Sequence, residues 1–264
     1  MQEEEWLIGA KPDLMLVHLQ RQAGFRALRR KIRLFLCACR RLGWELNTTG
    51  EEHAAIELAE HFADGQVTHA ERDTAREKLI SSYLRYQFAR RSLVPDALVG
   101  RRFPGVPQLL AIFGSEAENI PQLLAIFACE PDNRLGDKAF QATALLVRTW
   151  TETALGPNAH QRPGSEWKQC QAKHRAIVGC LLRDIFGNPF RGASDDSRWL
   201  MWNDRIVPRL AQAIYDERAF DRLPILADAL EEAGCDNADI LNHCRQPGEH
   251  VRGCWVVDLL LGKH

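Results

Sequence analysis

The chain lacks most of the signatures that assign a protein at sight. It has no Cys-x-x-Cys pair, so neither a zinc ribbon nor a thioredoxin-like motif can be written on it. No stretch approaches the ~18 uninterrupted apolar residues of a membrane-spanning helix, and the apolar run nearest the C-terminus is interrupted by Asp258. A formal net charge of −1 gives no global attraction to nucleic acid or to an anionic membrane. Gly-x-Gly-x-x-Gly, the phosphate-binding Gly-x-x-x-x-Gly-Lys-Ser/Thr and the Gly-x-Ser-x-Gly elbow are all missing, which leaves no recognisable catalytic motif and no cofactor to expect. The opening Met1-Gln2-Glu3-Glu4-Glu5-Trp6 has neither the basic nor the apolar region of a secretory signal. A cytoplasmic protein is therefore expected, its eight cysteines acting as free, mostly buried thiols.

What is present is helical pattern. With 264 residues, 45% hydrophobic and 26% charged, the chain can bury one large core or two modest ones. Phe25, Leu28, Ile32, Phe35, Cys39, Leu42 and Leu46 alternate spacings of three and four and predict a long amphipathic helix over 25–46. A second helix is predicted from Glu51 to Ala63 with Asp64-Gly65 as its stop, and Thr68 with Glu71 forms a capping box for a third, running to about Leu93. Later helices are expected over 137–154, from Ser165 to Phe186, after Pro208, after Asp221, from Asp236 to Cys244 and over 249–261. The fold class follows: an all-α, bundle-like assembly of about ten helices without substantial sheet.

Between them lies a tandem duplication. Val106-Pro107-Gln108-Leu109-Leu110-Ala111-Ile112-Phe113 is repeated as Ile120-Pro121-Gln122-Leu123-Leu124-Ala125-Ile126-Phe127, and nine of the fourteen positions in each full unit are identical. Three regions are expected: 1–94, helical with the basic helix; 95–133, a linker holding the duplicated units; and 134–264, helical.

Three clusters are candidates for function. Arg26, Arg29, Arg30, Arg33, Arg40 and Arg41 fall opposite the apolar stripe of the 25–46 segment, a face suited to phosphate or carboxylate, unless acidic residues of the next helix neutralise it. Cys37 sits among these cations, which would favour a reactive thiolate, unless the thiol is simply packed. Near the C-terminus Cys235, His243, Cys244, His250 and Cys254 crowd into twenty residues and offer nitrogen and sulfur ligands for zinc, although their spacing fits no standard zinc pattern. The polar side of the second helix, with His53, Glu57, Glu60, His61 and Asp64, reads as a solvated face.

Glu5-Trp6-Leu7, Arg33-Leu34-Phe35 and Cys37-Ala38-Cys39-Arg40-Arg41 resemble the N-terminus of a large paralogous family of uncharacterised proteins of planctomycete bacteria. Closer strings are Leu182-Arg183-Asp184-Ile185-Phe186-Gly187-Asn188-Pro189-Phe190-Arg191, the segment Ala219 to Leu230, and His250-Val251-Arg252-Gly253-Cys254-Trp255-Val256-Val257-Asp258. The resemblance implies a cytoplasmic bacterial protein and carries no activity or site residue with it. Together these features lead first to a non-catalytic helical module that binds another protein. A nucleic-acid binder using the arginine face comes second, and a metal protein or enzyme built on the Cys/His cluster third.

Overall fold

The structure, a computed structural model, describes residues 1–42, 49–91, 120–156, 159–192 and 197–263. Among them every regular element is helical and no strand occurs, as the apolar periodicity predicts. In chain order the α-helices are α1 (Glu3–Ile8), α2 (Pro12–Ala27), α3 (Arg29–Leu42), α4 (Gly50–Ala63), α5 (His69–Arg91), α6 (Ile120–Ala128) and α7 (Leu135–Leu155). They continue with α8 (Gly164–Phe186), α9 (Ser197–Met201), α10 (Ile206–Glu217), α11 (Leu223–Glu232), α12 (Ala238–Arg245) and α13 (Trp255–Leu260). No helix among the described residues is long and apolar enough to cross a membrane.

The chain divides into two compact units, one of residues 10–178 and one of residues 1–9 with 179–264. These bounds differ from the sequence division at 94 and 133. The first nine residues belong with the C-terminal part, and α7 belongs with the N-terminal helices. Hydrophobic pattern marks which residues are buried, not which helices bury one another, so the partition was not readable from it.

In the 10–178 unit α3 is the central element, packed by α4, α6 and α7. It is not half of a longer amphipathic rod. The helix predicted over 25–46 breaks at Leu28, where α2 ends and α3 begins; residues 43–48, including Leu46, lie outside the described residues. From Ile32 to Arg40 every residue of α3 is buried, the arginines Arg33 and Arg40 among them. Taking a guanidinium out of water is tolerable only if carboxylates or carbonyls meet it at close range, and they do. Arg40 bonds Glu52 at 2.5 Å, both side chains being at most 2% exposed. Arg41 grips Glu60 through two nitrogens, at 2.7 and 3.0 Å, and Arg30 holds Asp64 at 3.0 Å. Arg33 donates to the carbonyls of Ala128 and Glu130 and to Asp132.

The exposed cationic face expected on this helix is therefore corrected. Arg30, Arg33, Arg40 and Arg41 turn to carboxylates of their own unit, and Glu60 on α4 and Asp64 at its end are buried partners instead of a solvated face. Arg29 alone of the α3 set is largely exposed, 3.9 Å from Asp132; the side chain of Arg26 lies outside what is described. Cys37 is corrected too. It is enclosed, with its Sγ 3.9 Å from the Ile56 carbonyl, and burial pushes its thiol well above the ordinary value despite Arg33 and Arg41. A protonated, enclosed thiol is no nucleophile.

The second duplicated copy forms α6, whose residues Leu123 to Phe127 are all buried. Cys129 and Glu130, just past it, reach Ala55 and Arg76. The first copy, residues 106–119, lies outside the described residues.

The Arg40–Glu52 pair generates a double-mutant test. Arg40→Met or Glu52→Leu alone strands one buried charge and should cost about 3–5 kcal/mol, whereas the two together should recover most of that loss. Urea unfolding of the four proteins measures it, and additive single losses would show that the pair is not coupled.

Candidate functional site

The unit of residues 1–9 and 179–264 has an apolar core from α10 (Val207, Ala211, Ile214), α11 (Leu223, Leu226, Leu230), Ile240 on α12 and Val256, Val257 and Leu260 on α13. Against it stands a short polar construction. The end of α8 carries Asp184, then stops at Gly187 with φ +65, a left-handed conformation suited to glycine. A Cβ on Gly187 would lie 3.0 Å from the Trp255 ring, so two reasons fix glycine there. The Gly187 carbonyl accepts from the indole Nε1 of Trp6 at 2.9 Å, and Arg183 donates to the carbonyls of Trp6 and Gly9. Trp6 is fully buried. The N-terminal segment is thus fastened to the end of α8.

The last helix begins at Trp255, not near residue 249 as the apolar run predicts. Residues 250–254 instead make a turn in which Cys254 N–H donates to the Val251 carbonyl and Gly253 sits at φ +98. That turn lays two side chains beside Asp184 and α12. Asp184 Oδ1 accepts from His250 Nδ1 at 2.5 Å and lies 3.3 Å from His243 Nε2. Its Oδ2 accepts from the Val251 backbone N–H at 3.0 Å. His243 Nε2 is 3.2 Å from Cys254 Sγ, while its Nδ1 is 3.2 Å from the Gln246 amide nitrogen. The His243 ring is stacked edge-on against His250 at 4.8 Å and tilted against Trp255 at 5.2 Å.

Asp184, His243, His250 and Cys254 thus bring four ligand atoms within 4.8 Å of one another. The side chains of Asp184, His243 and His250 are 5–7% exposed, and Cys254 is 1% exposed. Burial alone would push the Asp184 carboxyl up, but hydrogen bonds from His243 and His250, and their positive charge when protonated, hold it below the ordinary carboxylate range. Burial and the nearby Asp184 charge push the Cys254 thiol well up. His250 Nε2 is buried and has no hydrogen-bond partner. A cavity of about 350 Å³ adjoins the cluster; Asp184, His243 and His250 are in its wall with Trp6, Asn242 and Trp255.

The sequence cluster is therefore only partly assembled. His243, His250 and Cys254 come together, joined by Asp184, which sequence reasoning did not select. Cys235 and Cys244 are buried in the apolar core instead, and burial pushes the Cys244 thiol up to about 12. No local signal pointed to Asp184. It lies 66 residues before His250, and an aspartate near the end of a helix is usually a surface residue.

Cys254, His243 and Asp184 invite comparison with a cysteine–histidine nucleophile, and the geometry argues against it. In such a triad one imidazole nitrogen faces the nucleophile and the other faces the carboxylate. Here Cys254 and Asp184 both approach Nε2 of His243. A thiol raised by burial also lacks the thiolate character a nucleophile needs. Several donors converging on one point is the arrangement of ligands around a cation. No family model, no curated protein and no solved structure matches the chain.

Two outcomes are expected. Gly187→Ala should destabilise this unit by more than about 1 kcal/mol, since it combines a left-handed backbone with a clash against Trp255, read as a lowered Tm. Asp184, with its folded pKa below its unfolded one, contributes stability that is fully present above the ordinary carboxylate value of about 4 and is lost as pH falls through the lowered folded value. In metal-free protein, Asp184→Asn should lower stability at pH 7 and flatten its dependence on pH below about 4. An unchanged acid limb would show that Asp184 is not the titrating group.

Proposed function

We propose that this protein binds a transition metal, zinc by its donor set, at the cluster of Asp184, His243, His250 and Cys254. The observation that carries the reading is the convergence of carboxylate, imidazole and thiol atoms within 4.8 Å, in a buried position, from three separate elements. Zinc takes sulfur, nitrogen and oxygen donors at about 2.0–2.3 Å, and softness of the thiolate disfavours magnesium or calcium. Tetrahedral donors at those lengths stand roughly 3.3–3.6 Å apart; His243 Nε2 stands 3.3 Å from Asp184 and 3.2 Å from Cys254. Metal binding also answers the energetic difficulty of the site. A cation would convert Cys254 to thiolate and neutralise the buried Asp184 charge.

The surrounding residues fit ligand-orienting roles. Gln246 lies against His243 Nδ1; with its amide oxygen turned to the ring it would accept the Nδ1 proton and leave Nε2 free to bind metal. The Val251 N–H holds the outer oxygen of Asp184. Nucleic-acid binding by the arginine face is the less favoured reading, because Arg30, Arg40 and Arg41 meet internal carboxylates. No disulfide joins the eight cysteines, from which we infer a reducing, cytoplasmic setting. We also place the chain with the planctomycete family on the strings quoted above, which hold Trp6, Asp184, Gly187, His250 and Cys254.

Elemental analysis and competition with a chromophoric zinc chelator test the reading. Wild-type protein should hold stoichiometric zinc, and Cys254→Ser or Asp184→Asn should weaken it by at least about 100-fold, more than the loss of an outer-sphere partner. Cys235→Ser and Cys244→Ser should retain it. A folded wild-type protein that takes up no zinc from a zinc buffer would overturn the reading.

A further inference from the structure

The four donors of the proposed centre are not equivalent, and the distances separate them. Two atoms bound to one metal in a tetrahedral site stand roughly 3.3–3.6 Å apart. The separations about His243, 3.3 Å to Asp184 and 3.2 Å to Cys254, lie close to that edge. His250 Nδ1 stands 2.5 Å from Asp184 Oδ1. That is hydrogen-bond contact, at the short end even for a charged pair, and too short for two ligands sharing a metal. His250 therefore already has a role: its Nδ1–H holds Asp184, as the outer partner of a ligating carboxylate does.

Position relative to the cavity adds a second, independent observation. Asp184, His243 and His250 are in the wall of the 350 Å³ cavity, and Cys254 is not. A cation held by Cys254, His243 and Asp184 has the thiolate at its back and the cavity at its front. Three protein ligands leave one tetrahedral position vacant, the arrangement of zinc sites that exchange a ligand, whereas structural sites close with four. The cavity is also of a size that takes small molecules. His250 Nε2, buried and without a partner in the protein, is an acceptor once Nδ1 carries the proton.

Resting on the metal reading above, we propose that Asp184, His243 and Cys254 are the ligands, that His250 is a positioning residue outside the coordination sphere, and that the fourth position opens on the cavity and takes an exchangeable small oxygen- or nitrogen-donor ligand, with water as the resident one. The centre is thus of the open kind, able to bind and polarise a small molecule, and not a structural staple.

Cobalt(II) substitution tests this, because its visible d–d bands report coordination number and ligand exchange, and its near-ultraviolet thiolate band reports Cys254. Sodium azide serves as the exogenous ligand. In the wild type, azide should shift the d–d bands saturably while the thiolate band persists. His250→Asn, which keeps a donor for Asp184, and His250→Ala should still bind cobalt with the same d–d envelope, at an affinity lower by about 10–100-fold, the size of an outer-sphere effect. Cys254→Ser should lose the thiolate band. If the wild type binds no cobalt, the metal reading itself fails and this inference falls with it. If the wild type binds cobalt with a thiolate band but azide leaves the d–d bands unchanged, or the His250 variants, folded by circular dichroism, lose the metal, the site is closed by four ligands. The inference is then overturned while the metal reading stands. Should both His250 variants fail to fold, the azide titration of the wild type decides alone.

Discussion

A charge taken out of water has to meet its opposite within hydrogen-bond distance, and in this chain that requirement fixes where helices lie. Arg40 on α3 and Glu52 on α4 are both enclosed and 2.5 Å apart; neither could be buried without the other. Arg41–Glu60 and Arg30–Asp64 repeat the arrangement along the same two helices, so α4 is matched to α3 at three points by charge as well as by apolar packing. Arg33 and Arg76 extend it to the segment after α6, through Asp132 and Glu130. Ion pairs of this kind contribute little net free energy, but a helix shifted by one turn would strand several charges at once. They act on which packing is allowed more than on how stable it is.

The same constraint operates in the other unit on a smaller scale. Asp184 is buried, though less completely than Arg40, and it stays ionised because two imidazoles and one backbone N–H surround it. The difference lies in what the partners can do besides neutralise. A guanidinium has no lone pair to give, and each carboxylate of the α3 network is taken up by one. An imidazole, a thiol and a carboxylate all have lone pairs directed toward a common space, and that is the property a cation requires. Both clusters are buried and polar; only one of them is made of donors.

How much of this was legible depends on whether the feature is local. Thr68 and Glu71 were readable as a capping box because each group bonds a neighbour three residues away, and the structure shows Thr68 N–H on Glu71 Oε2 at 2.8 Å. Helix stops at Gly65, Gly187 and Gly234 were readable for the same reason, all three having positive φ. For the arginines of α3 helical periodicity assigned a face and left open whether solvent or the acids of the next helix met it; Arg40 and Arg41 meet Glu52 and Glu60 of α4. Opposite the apolar stripe lay not solvent but a second buried interface. A helix enclosed on all sides, with cations among its buried residues, gives the same sequence pattern as an amphipathic helix on a surface.

The cluster around His243 shows the limit in its sharpest form. Zinc patterns readable from sequence depend on pairs of ligands two to four residues apart on one turn, which close half the site locally. Here α8 supplies Asp184, α12 supplies His243, and a turn supplies His250 with Cys254, so no pair on a single helix announces the cluster. Had residues 250–254 been helical, His250 and Cys254 would have shared a face of one rod. The left-handed Gly253 and the backbone bond from Cys254 to Val251 break that rod. In the turn the Val251 N–H donates to Asp184. The irregular turn is therefore not a defect in the last helix. It lets one short segment present an imidazole, a thiol and a backbone donor around a single carboxylate.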